Sequence, residues 1–357
     1  MSLDHSPTQS EAARQIEICN ACRYCEGYCA VFPAMFKDRA FAAGDITQLA
    51  NLCHNCRGCY YACQYTEPHE FALNLPAVLA GARSESWQRF AWPSRPSRLF
   101  QRSGVALGGA LVVGVAALFW AVSTLGETGT GFYAYLSHAA MIAIFGPAFL
   151  APLLAVWVGL RRYWTEVGGA RVRWTDLTEA TLNAGRMRNL DGGQGQGCNF
   201  ETGDRFTNAR RYGHQATMFG FLLCFASTAS GTMLHYLFDS PAPYSLFNLP
   251  KLLGIPGGVL LAGGAFALAF LKTRADPALG DTRVWGGEMA FTLILGLTGL
   301  SGLLLYLATG TGAVPVLLAI HLGSVLAFFL TVPYSKMAHG FYRFAALVRD
   351  AQIRRGE

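Results

Sequence analysis

Eight cysteines fall within residues 19–63 in two segments of one form, Cys19-x2-Cys22-x2-Cys25-x3-Cys29 and Cys53-x2-Cys56-x2-Cys59-x3-Cys63, offset by 34 residues. Thiolates are soft anionic ligands. Three of them at spacings of three residues reach around one iron–sulfur cube, while the fourth, on the following helix, points to the neighbouring cube. The doubled motif predicts two [4Fe–4S] clusters, one held by Cys19, Cys22, Cys25 and Cys63, the other by Cys53, Cys56, Cys59 and Cys29. In the usual run a proline follows the fourth cysteine directly, whereas Pro33 and Pro68 come four and five residues later, so the cross-over is the open point and the eight ligands are not. Zinc prefers pairs of C-x2-C, and disulfides need an oxidising compartment. Arg23 and Arg57 hold the same place in both repeats, where they either offset cluster charge or sit in solvent.

Four histidines are the second set of candidates, because lipid offers an ionisable side chain no partner. His321 and His339 are 18 residues apart, which on one continuous helix is five turns, the same face and a rise of about 27 Å. His214 and His235 are 21 residues apart, about 31 Å along the axis and about 60° out of phase. Antiparallel runs then pair His214 with His339 on the inner side and His235 with His321 on the outer side, as two bis-histidine b haems stacked across a helical bundle require. The alternative is that one pair is interfacial and only one haem is bound. Arg210, Arg211 and Arg343 lie close in sequence to the inner pair, as haem-propionate ligands or as a basic flank. His138 is a quinone candidate or an interfacial histidine, and Cys224 a small packed residue. Cys198 ends a glycine run, Gly192 to Gly197, that lacks the dinucleotide-binding order and reads as a flexible loop.

The elements that must position these groups follow from composition. Of the 357 residues 52% are hydrophobic and only 14% charged, with mean hydropathy +0.29, against roughly 25% charged in ordinary soluble chains. Residues 1–92 show helical periodicity and read as a soluble all-α, ferredoxin-like domain; 93–103, with two prolines and several arginines, reads as a linker. Six apolar runs follow, Gly104–Leu125, Tyr135–Leu160, Gln215–Leu237, Pro250–Leu271, Trp285–Ala308 and Val314–Tyr334, each near the roughly 20 residues that cross hydrocarbon. Residues 104–357 thus form a six-helix transmembrane, cytochrome b-like domain. Glycines in the fourth run, Gly254, Gly257, Gly258, Gly263 and Gly264, suggest close helix packing. Every basic residue but Lys251 falls on one side, which places both termini and the 161–213 loop in the cytoplasm. The net charge of +6 reflects this topology, and nucleic-acid binding is not indicated. The first apolar run begins too late for a secretory signal, so the cysteines are expected to stay in a reducing compartment.

The two cysteine segments, the stretch Glu67-Pro68-His69-Glu70-Phe71-Ala72-Leu73-Asn74-Leu75-Pro76, the glycine run ending at Cys198, and Pro333-Tyr334-Ser335-Lys336-Met337-Ala338-His339-Gly340-Phe341-Tyr342-Arg343-Phe344 together resemble the tricarballylate-utilisation protein B family over nearly the whole chain. The last segment is also similar to the haem-binding helix of nitrate reductase gamma subunits. The resemblance implies a multi-pass protein of the bacterial inner membrane. Such a protein reoxidises the flavin of a separate FAD-dependent tricarballylate dehydrogenase-like partner and passes electrons through the clusters and b haem to quinone. The absence of a flavin or nicotinamide fingerprint fits that division of labour. Two rival readings remain: a membrane anchor without quinone reductase activity, and a redox sensor or assembly factor.

Overall fold

The computed structural model describes residues 5–37, 40–124, 135–193, 195–240 and 242–356, and among these it is helical, with two isolated bridges and no strand. Leu125, the expected end of the first apolar run, and Gln194 of the glycine run lie outside the described residues. The cysteine-bearing part is built from α1 (Pro7–Cys22), α2 (Val31–Met35), α3 (Ala43–Leu52), α4 (Gly58–Tyr61) and α5 (Leu75–Phe90). Helix α1 begins where Ser6 and Gln9 close a reciprocal capping box, with Pro7 in the first turn, where no N–H is needed. Asn74 caps α5 by accepting from the Ala77 amide. Ile16, Ile46, Leu49, Leu79 and Phe90 meet in one core, each burial stabilising by ~1.5–3 kcal/mol.

Six helices are long and apolar enough to cross a membrane: α6 (Arg95–Ser123), α7 (His138–Glu166) and, after the short polar α8 (Trp174–Arg186), α9 (Ala209–Leu237), α10 (Leu249–Thr273), α11 (Trp285–Leu307) and α12 (Val314–Thr331). Val113, Leu118 and Leu150 point outward from the bundle, as lipid permits and water disfavours. Helices α9 and α10 touch along small residues. A Cβ at Gly220 would fall 2.3 Å from the Leu261 nitrogen, and one at Gly264 would fall 2.6 Å from the Thr217 nitrogen. Gly263, grouped with these in the sequence, meets nothing within 4 Å.

Three boundaries differ from the sequence reading. The 93–103 segment is helical from Arg95 onward, because Pro96 sits in a first turn that tolerates it, and the break falls at Ser103 (φ −122°, ψ 25°). The 161–213 stretch carries the end of α7 and all of α8. The sixth apolar run and the His339 segment are not one helix: α12 stops at Thr331, and α13 (Ala338–Arg355) starts after a turn containing Pro333, which cannot donate to the helix ladder. Ala338, Tyr342 and Ala346 of α13 join the core of α1, α3 and α5, and α13 packs on α8. The C-terminal helix therefore belongs with the cysteine-bearing part rather than with the bundle.

Candidate functional site

Two cavities sit within the cysteine-bearing part. Cys19, Cys22, Cys25 and Cys63 line the first, and Cys29, Cys53, Cys56 and Cys59 line the second, with Cys59 also at the edge of the first. The fourth cysteine of each segment thus faces the other segment's trio. Arg23 and Arg57, equivalent in the two repeats, both adopt left-handed backbone (φ 57° and 69°), which costs of order 1–3 kcal/mol for such residues and turns each segment back so that its third cysteine faces inward. Amides of Asn55 and Tyr65 donate to the Cys53 and Cys63 sulfurs, both at 3.4 Å. Burial, reinforced by neighbouring thiols, pushes Cys19, Cys25 and Cys56 up to about 12. Four sulfurs so close together hold negative charge only against a cationic core, so loading such a site releases protons. Four thiols around a cavity suit a polynuclear cluster.

The glycine run is not a free loop. Gly193, at φ +89°, lies against the first segment, where a Cβ would come within 2.8 Å of Tyr28 Cα. The Asn189 side chain accepts from the Ala30 amide (3.2 Å), and the Asn199 amide donates to the Cys56 carbonyl (2.9 Å). Only glycine meets such positive φ at so close an approach without cost. Cys198, left as a loop residue by the sequence, is buried beside Cys56 and Leu190, and its thiol donates to the Leu190 carbonyl (3.3 Å).

The rings of His214 (α9) and His339 (α13) stand 5.7 Å apart at 86°. Metal–imidazole bonds of about 2 Å would put two axial rings about 6 Å apart, so this pair fits a bis-histidine haem. The His339 Nδ1 donates to the Lys336 carbonyl, which fixes the tautomer and leaves Nε2 for a metal. Burial, with Arg343 nearby, holds His339 well below the usual histidine range and therefore neutral. The Nδ1 of His214 is buried without a hydrogen-bond partner.

The arginines do something the sequence did not indicate. Arg210, one turn before His214, donates to the carbonyls of Asn55 (2.6 Å) and His54 (3.2 Å), and Arg343, one turn after His339, donates to that of Cys53 (3.0 Å). Arg83 of α5 reaches the Ala50 and Cys53 carbonyls (3.1 and 3.0 Å). Arg211 instead reaches the Arg186 carbonyl at the end of α8 (2.9 Å). Arg210 and Arg343 therefore grip the loop of the second cysteine segment, and the buried Nε atoms of Arg343 and Arg211 have no hydrogen-bond partner among the described residues. His54 was also missed. Its buried ring bonds the Leu52 carbonyl through Nδ1 (2.7 Å), and burial and then Arg343 hold it well below the usual histidine range. No feature of a C-H-N-C stretch distinguishes it from a surface histidine.

For the outer pair expected from helical phase, His235 with His321, the structure gives each ring a neighbour of its own. The His235 ring lies 4.6 Å from that of His138, whose Nε2 is hydrogen-bonded to the Tyr236 hydroxyl (2.7 Å). His321 shares a 3.1 Å hydrogen bond with Ser301 of α11 and lies against Gly302. Helix α9 packs chiefly on α10, and α12 on α6 and α11, and the turn after Thr331 separates the helix of His321 from that of His339. His138, the quinone candidate, thus occupies the place beside His235 that His321 was expected to take.

Comparison with known proteins bears on both parts. Residues 12–89 match the family described as Citrate utilization protein B Fer4-like domain, and residues 94–357 match Citrate utilization protein B. The chain is 41% identical over 358 residues to the Citrate utilization protein B of Escherichia coli, covering 98% of this chain and 94% of that relative. No solved structure matches.

Proposed function

Because the chain belongs to the citrate utilization protein B family, we propose that it takes electrons from the reduced flavin of a separate dehydrogenase acting on tricarballylate or a related tricarboxylate and delivers them to the membrane quinone pool. The Escherichia coli relative carries citrate utilization in its name, which supports a tricarboxylate as the source of the electrons. Two [4Fe–4S] clusters and a b haem, when bound, supply one-electron chemistry. The chain's own residues supply position: the two cysteine quartets, then the His214/His339 pair, tied together by Arg210 and Arg343 on the second cysteine loop.

That tie is the observation that carries the reading. A membrane anchor has no need to fasten the carbonyls of a cysteine loop to the two helices that carry facing histidines. One haem is proposed, at the inner pair, whose two rings face each other, and the His138, His235 and Tyr236 group at the other end of α9 is proposed as the quinone contact. The basic asymmetry supports a cytoplasmic position for the cysteine-bearing part at an inner membrane. In proteoliposomes holding the protein and a water-insoluble quinone, addition of a tricarballylate-oxidising flavoprotein with its substrate should reduce the quinone. Quinone reduction at the rate of protein-free vesicles would end the proposal in favour of an anchor.

A further inference from the structure

The two cysteine quartets differ in the charge around them. Beside the first, Cys22 is exposed, and the basic residue of its segment, Arg23, is exposed too, its Nε donating to the Asn20 carbonyl (3.1 Å). Around the second, Arg83 is 4% exposed and Arg343 9%, and with Arg210 they converge on the carbonyls of residues 50–55. The three guanidinia have no carboxylate of their own among the described residues. Glu288, the acid nearest Arg343, is already engaged by both Lys272 and Lys336. Buried positive charge without a counter-ion is costly unless the site brings its own anion.

We propose that Arg83, Arg210 and Arg343 make the cluster at Cys29, Cys53, Cys56 and Cys59 the higher-potential of the two, so that an electron arriving at the Cys19 quartet runs downhill toward the membrane. The inference rests on the two-cluster reading above. In the step itself the first cluster is oxidised by one electron and the second is reduced by one, with no proton required. Reduction adds a negative charge to a cluster that is already anionic. Fixed cations and hydrogen bonds near its ligands favour that added charge, whereas burial alone opposes it. Here the protein that excludes water from the cluster also excludes it from the guanidinia, so their field is poorly screened and outweighs the desolvation. The three arginines are positioning residues: they touch ligand-loop carbonyls, not the reacting atoms.

The test is a redox titration of the whole, anaerobically purified protein, followed by electron paramagnetic resonance. Two cluster signals with separate midpoints are expected. In Cys22→Ser the lower-potential signal should be the one lost or altered, an assignment that needs no arginine variant. Arg343→Gln and Arg210→Gln should each move only the higher-potential signal downward, while Arg343→Lys, which keeps the charge, should move it less than Arg343→Gln does. Loss of the higher-potential signal in Cys22→Ser, or arginine variants that leave both midpoints in place or shift both equally, would overturn the proposal while sparing the two-cluster reading. Fewer than two cluster signals in the unaltered protein would overturn both.

Discussion

The two ends of the helical bundle use the same residue type and reach opposite results. At the inner end His214 and His339, from helices far apart in sequence, face each other at 5.7 Å. At the outer end His321 turns to Ser301, and His235 to His138. The difference lies in what flanks each histidine. Each inner histidine has an arginine one helical turn away whose side chain is fastened to the second cysteine loop, so two separate helices are registered against one anchor. At the outer end the basic residue, Lys251, lies over the Tyr306 ring. A histidine in an apolar run thus becomes a ligand pair only where a third element sets the register of both helices.

The sharpest way to break this contrast is at its anchor. Cys53→Ser should abolish the resonance of the second cluster and roughly halve the bound iron while leaving the first cluster, as expected for two independent four-iron sites. Loss of all iron, or of none, would break it. Next in size, His339→Ala should remove the b-type absorbance entirely, whereas His321→Ala should leave it intact, because the one haem proposed belongs to the facing pair His214 and His339. A spectrum that disappears in His321→Ala would restore the outer pair. A smaller effect is expected from Gly264→Val, which forces a side chain into the Thr217 backbone one turn from His214 and should cost ~1–3 kcal/mol in overpacking, read as a lower unfolding temperature and a perturbed haem spectrum. An unshifted transition would show that α9 and α10 can separate freely.

The smallest effect concerns the hold of α8 on α13, which carries His339. The hydrogen bond from Arg355 lowers the Asp176 carboxyl from 3.8 to about 2. A carboxylate with a depressed folded value contributes its stability above the unfolded value and loses it as pH falls through the folded one. Asp176→Asn should therefore lower the unfolding temperature slightly at neutral pH, and the gap from the unaltered protein should close between about pH 4 and pH 2. A gap that is constant across that range would assign the effect to the helix cap that Asp176 also makes with the Arg173 amide.

How much of this was legible in the sequence depends on the range of the signal. The cysteine segments are local patterns, so their spacing reveals the two quartets without any tertiary information. The apolar runs likewise announce six helices of membrane-spanning length. Register across helices is another matter. The 18-residue spacing of His321 and His339 assumes an unbroken helix, and the turn at Pro333 removes that assumption. His214 and His339 meet because both lie at helix ends beside the cysteine-bearing part, which phase along one helix does not describe. His235 lies beside His138, on a helix that packs chiefly on α10. Arg83 and His54 left no trace at all: their roles arise from carbonyls of residues 50–55 and from α13, which folding alone brings near. The glycine run misled for a related reason, since conformational freedom in a sequence reads equally as a mobile loop or as backbone packed too closely for a side chain.

The most direct test of the central claim is a reduced-minus-oxidised absorbance spectrum of the anaerobically purified protein with iron, acid-labile sulfide and haem quantified together. The account predicts about eight sulfides and about eight cluster irons per chain, as two [4Fe–4S] clusters require, with a b-type band carried by one haem. A colourless preparation without labile sulfide would contradict it.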